Sequence, residues 1–161
     1  MASRVPQVSP DRTERRRHRL DLLGAAVAIV IYVSSIATFA GRMVFGLPAG
    51  HWIGTPLLLT VVPLGCLLGT ARSLGRRPLY SIQLALMITF LVVLFLLDYV
   101  LAVEWRDTRW AVIGFVTLYF GALGGMIGVA AEAGRRWMLS AVGLFMTTAV
   151  LAFVQRAVTG L

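Results

Sequence analysis

The chain alternates between long apolar stretches and short polar joints that carry arginine. Five stretches are long enough to cross a bilayer as helices, because a hydrocarbon core about 30 Å thick needs about 20 helical residues. They lie near residues 20–41, 52–71, 79–103, 110–131 and 137–155. The pattern predicts an all-α fold, a polytopic transmembrane bundle of five spans. Because the joints are short, we expect helices that follow each other in sequence to pack antiparallel.

Composition supports this interpretation and sets the domain boundaries. Apolar residues make up 58% of the 161 residues and charged residues 14%, whereas a soluble domain carries about 25% charged residues. We therefore expect residues 22–161 to form a single transmembrane domain. The preceding segment, Met1–Asp21, is polar and contains Pro6 and Pro10. It is predicted to be a cytoplasmic basic tail that is disordered up to the membrane surface.

The distribution of arginine predicts the orientation. All 15 cationic residues are arginine, which a GC-rich bacterial genome would explain. With the N-terminus inside, eleven arginines fall on the cytoplasmic side and four, Arg42, Arg106, Arg109 and Arg156, fall outside. Positive residues concentrate in cytoplasmic loops. The sequence therefore predicts a bacterial plasma membrane protein with its N-terminus in and its C-terminus out.

The net charge of +8 points to lipid rather than to nucleic acid, because the excess lies along the flanks of the spans. Attraction to anionic lipid amounts to about 1 kcal/mol for each arginine near the surface. The residues expected to contact anionic lipid on the cytoplasmic side are Arg15, Arg16, Arg17, Arg19, Arg72, Arg76 and Arg77.

The fourth span is rich in glycine. Its glycines are Gly114, Gly121, Gly124, Gly125 and Gly128, which include two GxxxG pairs. Because glycine has no Cβ, such a face lets another helix approach closely. Two interpretations stay open: packing inside the monomer, or docking to a second copy or to another membrane protein.

The second span contains Pro56 and Pro63. Proline removes a helix donor and its ring clashes with the preceding turn, so we expect a kinked or partly opened helix. Neighbouring helices, Thr60 or water would satisfy the freed carbonyl groups. Transporters use broken helices to expose such groups to ions, although prolines are also ordinary in membrane helices.

Asp98 is the acidic residue that lies furthest inside an apolar run. An ionisable group within a membrane is a functional hypothesis by default. Asp98 comes about 20 residues after the start of its span, which places it close to the outer interface. It is therefore expected either to form a structural ion pair with a nearby arginine or to relay protons or ions.

The outer ends of the spans form the densest predicted polar site. Its expected members are Asp98, Glu104, Arg106, Asp107, Arg109, Arg42 and His51. Charges of alternating sign between tryptophans are typical of an interfacial clamp. The alternative is a small site that binds a lipid headgroup, a metal or a partner loop. No HExxH or ExxH spacing occurs, so we expect neither a metal nor a cofactor.

Sequence motifs of common enzymes do not occur in the chain. There is no GxSxG motif and no phosphate-binding glycine loop. We therefore expect a non-catalytic accessory, scaffold or assembly subunit of a membrane complex. One alternative is a small oligomeric transporter or channel that uses the second span and Asp98. A further alternative is an interfacial lipid-modifying enzyme that uses the outer carboxylates.

Overall fold

The computed structural model describes residues 10–45, 54–101 and 108–159. Within these ranges every regular element is helical. The main helices are α1 (Pro10–Phe45), α2 (Val61–Ser73), α3 (Pro78–Phe95), α4 (Arg109–Glu132) and α5 (Arg135–Thr159). Two short segments extend them, because residues 54–59 are helical before α2 and a five-residue π-helix, Leu96–Val100, follows α3.

All five helical stretches are long and apolar enough to cross a membrane. The candidate spans are Glu14–Phe45, Gly54–Ser73, Pro78–Asp98, Arg109–Glu132 and Arg135–Val158. Each overlaps one of the stretches found in the sequence, so the prediction of an all-α bundle with five spans is confirmed. The chain is a multi-pass helical membrane protein.

The first helix begins earlier than hydropathy predicts. It is already helical at Pro10, the first residue that the structure describes. The prediction of a disordered tail is therefore wrong for residues 10–21, where arginine and glutamate favour a helix. Residues 1–9 lie outside the described ranges. At 1.5 Å per residue the 36 residues of α1 extend about 54 Å, well beyond a 30 Å hydrocarbon core.

A tight glycine turn joins α2 to α3. Gly75 has a φ of +61°, which costs glycine no steric strain. The N–H of Arg76 donates to the carbonyl of Ala71 at 3.1 Å, and the N–H of Gly75 donates to that of Arg72 at 3.2 Å. This pair of bonds is the Schellman pattern that ends a helix. The turn carries Arg76 back over the end of the bundle, where its side chain meets α1 and α4.

The second span is interrupted at Thr60, between the helical residues 54–59 and α2. The N–H of Thr60 donates to the carbonyl of Leu57 at 3.2 Å, one residue nearer than in an α-helix. Its hydroxyl donates to the same carbonyl at 2.6 Å. Pro63 cannot donate to the carbonyl of Leu59, and its ring crowds that turn. The interruption thus lies in the turn that Pro63 disturbs.

The centre of the bundle is formed by α1 and α4, which pack against each other and against α5. On the other side, α4 packs against α3. In contrast, α2 packs mainly against α3 and only slightly against α1. Tyr32 of α1 is fully buried, and its hydroxyl donates to the carbonyl of Leu123 in α4 at 2.6 Å. This bond ties the two central helices together in the middle of the core.

Candidate functional site

The two ends of the bundle carry different polar groups. The end that holds the α2–α3 and α4–α5 joints, here called the joint end, also receives the early turns of α1, because Arg76 contacts Asp21 there. At the opposite end α1 finishes, the π-helix follows α3, and α4 begins. Two salt bridges, both formed by Arg76, lie at the joint end.

Arg76 is the centre of an ion-pair cluster at the joint end. One of its guanidinium nitrogens, Nη2, contacts Oδ1 of Asp21 in α1. The other, Nη1, lies 3.2 Å from Oε2 of Glu132 at the end of α4. The side chains of Arg76 and Asp21 are each 13% exposed, whereas that of Glu132 is 41% exposed. A single arginine therefore bridges α1, the α2–α3 joint and α4.

Two further contacts fix the same joint. The guanidinium carbon of Arg76 lies 5.3 Å from the centre of the Tyr80 ring, within the range of a cation–π interaction. Arg17 of α1 donates from Nη2 to the carbonyl of Leu74 at 2.7 Å. That carbonyl belongs to the residue that ends α2, and a cation there also interacts favourably with the helix dipole.

The role expected for Arg76 is therefore corrected. It was predicted to contact anionic lipid, but its charge is directed inward to two carboxylates because the Gly75 turn faces it toward the bundle. The other arginines predicted to contact lipid are exposed. They are Arg15, Arg16, Arg17, Arg19, Arg72 and Arg77.

Sequence reasoning missed the two carboxylates of this cluster. Asp21 lies near the start of the first span and Glu132 at the end of the fourth, so hydropathy treats both as span boundaries. A signal was nevertheless available. The predicted topology places Asp21, Arg76 and Glu132 at the same membrane face, where opposite charges next to an apolar core gain by pairing.

Only part of the predicted outer polar site falls within the described residues. Glu104, Arg106, Asp107 and His51 lie outside them. Of the remaining three, Arg42 is in the last turn of α1 and partly buried, Arg109 begins α4 and is exposed, and Asp98 is partly buried. The elements that carry these three residues end or begin at the same end of the bundle.

Asp98 occupies the middle of the π-helix Leu96–Val100. The N–H of Leu101 donates to the carbonyl of Leu96 at 2.8 Å, which is the i to i+5 bond of a π-helical turn. Such a turn inserts one residue, so it rotates the following side chains relative to those of α3. Turns of this kind occur often at functional sites.

The five glycines of α4 divide between two surfaces. A Cβ on Gly128 would lie 2.1 Å from Nε2 of Gln83 in α3, and one on Gly125 would lie 3.4 Å from Cβ of the same residue. These two glycines therefore accommodate Gln83 inside the monomer. A Cβ on Gly121 would make an ordinary contact of 3.7 Å with Leu86. For Gly114 and Gly124 no atom of the described chain lies within 4 Å.

The described residues hold no group of three or more histidine, cysteine, aspartate or glutamate side chains that could bind a metal. The charged groups at the joint end contact each other across helices, so their arrangement connects α1, the α2–α3 joint and α4. The chain matches no protein-family model, no curated protein and no solved structure.

Proposed function

We propose that the protein is a non-catalytic accessory or scaffold subunit that docks a transmembrane helix against α4. The observation that carries this proposal is an exposed stripe of small residues on α4, formed by Gly114, Thr117, Gly121 and Gly124. These residues recur at three- and four-residue intervals and therefore share one face. All four are exposed in the bundle.

The stripe is built from small residues over several helical turns, which suits close packing of a second helix. Gly124 follows Gly114 by ten positions, which is about 15 Å at 1.5 Å per residue. The hydroxyl of Thr117 donates to the carbonyl of Ile113 at 2.8 Å, so it adds no unsatisfied donor to this surface. In lipid, helices associate through close packing of small residues rather than through the hydrophobic effect. An uncovered stripe therefore favours a partner helix.

Gly125 and Gly128 of the same helix differ from the glycines of the stripe. They are covered by Gln83 of α3, and hence they are explained by packing inside the monomer. Gly114 and Gly124 have no such neighbour among the described residues. The two interpretations of the glycine-rich span therefore apply to different residues of the same helix.

The docking proposal is tested by purification in a mild detergent from the cells that make the protein. We expect a stoichiometric partner, either a second copy or another membrane protein, to be retained by the natural chain and lost by Gly124→Leu. Gly143→Leu in α5 is the matched control, because Gly143 is also exposed with open space around it. A lone monodisperse natural chain, or a partner that survives Gly124→Leu but not Gly143→Leu, would count against the proposal.

We also propose that the joint end faces the cytoplasm of a bacterium, as the excess of arginine on that side favours. Single cysteines test this orientation in a Cys66→Ser background. Ser73→Cys lies near the α2–α3 joint and Thr108→Cys just before α4, and both positions are exposed. In intact cells a membrane-impermeant maleimide should label Thr108→Cys and spare Ser73→Cys. The reverse pattern would invert the orientation.

A small transporter is the second candidate, and the π-helical turn at Asp98 favours it. This turn and the interruption at Thr60 place irregular backbone in two spans, which transporters use at their ion sites. Asp98→Asn should then abolish proton- or ion-driven flux in liposomes while the fold is retained. Glu14→Gln, at an exposed position of α1, is the control. Unchanged flux in Asp98→Asn would remove this candidate.

A lipid-modifying enzyme stays the least supported alternative, because the carboxylates it needs, Glu104 and Asp107, lie outside the described residues. Its test is turnover of a phospholipid in mixed micelles. Loss of turnover in both Glu104→Gln and Asp107→Asn would favour this reading, and full turnover in both variants would end it.

A further inference from the structure

A shallow apolar groove opens between α1 and the second span. Its volume is about 360 Å³. The groove is lined by Leu23, Ala26, Val27 and Val30 of α1 and by Pro56, Leu59, Thr60 and Pro63 of the second span. The hydroxyl of Thr60 is turned to the carbonyl of Leu57, so the lining presents little polarity. Beside the groove, α1 and α2 contact each other only slightly.

Two arginines continue the α1 wall of this groove toward the joint end. Arg19 and Arg16 precede Leu23 by four and seven residues, so all three lie on one face of the helix. At 1.5 Å per residue the arginines lie about 6 and 10 Å beyond Leu23 along the axis. Both are exposed. The groove and the two arginines thus form one continuous strip, apolar and then cationic.

The carboxylates in this part of α1 whose side chains the structure describes point away from the strip. Asp21 and Arg17 lie on the side that faces the joint, where they contact Arg76 and the carbonyl of Leu74. Glu14 comes nine residues before Leu23, which is half a turn out of phase with the groove. The strip therefore keeps two positive charges that no carboxylate on its own face offsets among the side chains that the structure describes.

We propose that this strip binds a single anionic phospholipid, with the upper part of one acyl chain in the groove and the phosphate between Arg16 and Arg19. The apolar groove continues into two exposed guanidinium groups. This arrangement complements a molecule that is apolar at one end and anionic at the other. Arginine binds phosphate through two parallel hydrogen bonds. The site contains two of the seven arginines predicted to contact lipid. The proposal does not depend on the docking role of α4.

Native mass spectrometry of the full chain tests the site with phosphatidylglycerol and phosphatidylcholine of identical acyl chains. We expect the natural chain to bind phosphatidylglycerol more tightly. The double variant Arg16→Gln/Arg19→Gln should lose this preference, by about fivefold in affinity for each arginine. Arg72→Gln/Arg77→Gln removes the same charge from two other exposed positions and should keep it. Equal losses in the two double variants would reduce the site to general surface attraction and overturn the proposal.

The groove itself is tested by filling it. Ala26→Phe places a ring in the groove at an exposed position and should weaken the binding of both phospholipids. Ala85→Phe, at an exposed position of α3, is the matched control and should leave both unchanged. Unaltered phospholipid binding in Ala26→Phe would show that no acyl chain lies in the groove, and full displacement of phosphatidylglycerol by inorganic phosphate would show a site for a free anion. Loss of a co-purifying protein in Ala26→Phe with phospholipid binding unaltered would show a site for a helix. Either result overturns the proposal.

Discussion

Replacement of Arg76 by methionine should destabilise the bundle more than replacement of any exposed arginine. Arg76 and Asp21 are each 13% exposed, and Glu132 is 41% exposed. A hydrogen bond to a charged group contributes about 1.5–3 kcal/mol, and an exposed ion pair about 0.2–1 kcal/mol. Because methionine keeps the apolar stem, Arg76→Met should lower the free energy of unfolding by about 2–3 kcal/mol through the lost charge contacts.

The same geometry predicts how this loss divides between the two carboxylates. Asp21→Asn should cost about 2 kcal/mol, since it weakens the more buried contact, and Glu132→Gln should cost less than about 1 kcal/mol. The double variant Arg76→Met/Asp21→Asn should cost less than the sum of its single variants. The reason is that Arg76→Met alone leaves the Asp21 charge partly buried without its partner, and the second substitution removes that charge.

The measurement is unfolding of the purified chain in mixed micelles as the fraction of denaturing detergent rises, followed by far-UV circular dichroism. Arg72→Met is the matched control because Arg72 is exposed in the last turn of α2, and it should change stability by no more than about 0.5 kcal/mol. Equal stability of Arg76→Met and Arg72→Met would contradict a stabilising role for the Arg76 ion pairs. So would a larger loss in Glu132→Gln than in Asp21→Asn.

Three further substitutions test single contacts by the same unfolding assay. Gly24→Ala places a Cβ 3.0 Å from Cγ1 of Val129 and should cost about 1–3 kcal/mol; Val129→Ala in the same chain should then cost less than it does alone. Gly75→Ala, at a φ of +61°, should cost about 1–2 kcal/mol, and Gly75→Asn should cost less. Tyr32→Phe removes the donor to the carbonyl of Leu123 and should cost about 0.6 kcal/mol.

Gly143→Ala is the control for the steric prediction, because open space surrounds Gly143 in the described chain. Alanine favours a helix over glycine by about 1 kcal/mol, so this variant should be at least as stable as the natural chain. A gain of similar size in Gly24→Ala would contradict the close packing of α1 against α4. Unchanged stability in Gly75→Ala or Tyr32→Phe would likewise contradict the turn or the hydrogen bond.

The spans could be predicted from the sequence because each depends on a local property, the length of an apolar run. The tail could not, because residues 10–21 are polar and hydropathy does not distinguish a polar helix from a disordered segment. The helix over residues 10–21 depends instead on helix propensity, which is favourable for arginine and glutamate.

The direction of side chains at the joints depends on tertiary contacts. In the sequence, Arg76 resembles the other arginines beside the spans. In the structure, the left-handed turn at Gly75 directs its side chain to Asp21. The glycines of α4 could be assigned to a face from their spacing. Which of them would be covered could not, because that depends on where Gln83 of a different helix lies.

Because α1 and α2 contact each other only slightly, α2 is held in the bundle mainly by its packing against α3. Because α2 relies on α3 and on the joint, its amides should exchange with deuterated water at a lower opening free energy than those of α1 or α4. Opening of α2 would also separate the two walls of the groove. A molecule bound between those walls would therefore slow exchange in α2 by mass action, so the protection of this helix reports whether the groove is occupied.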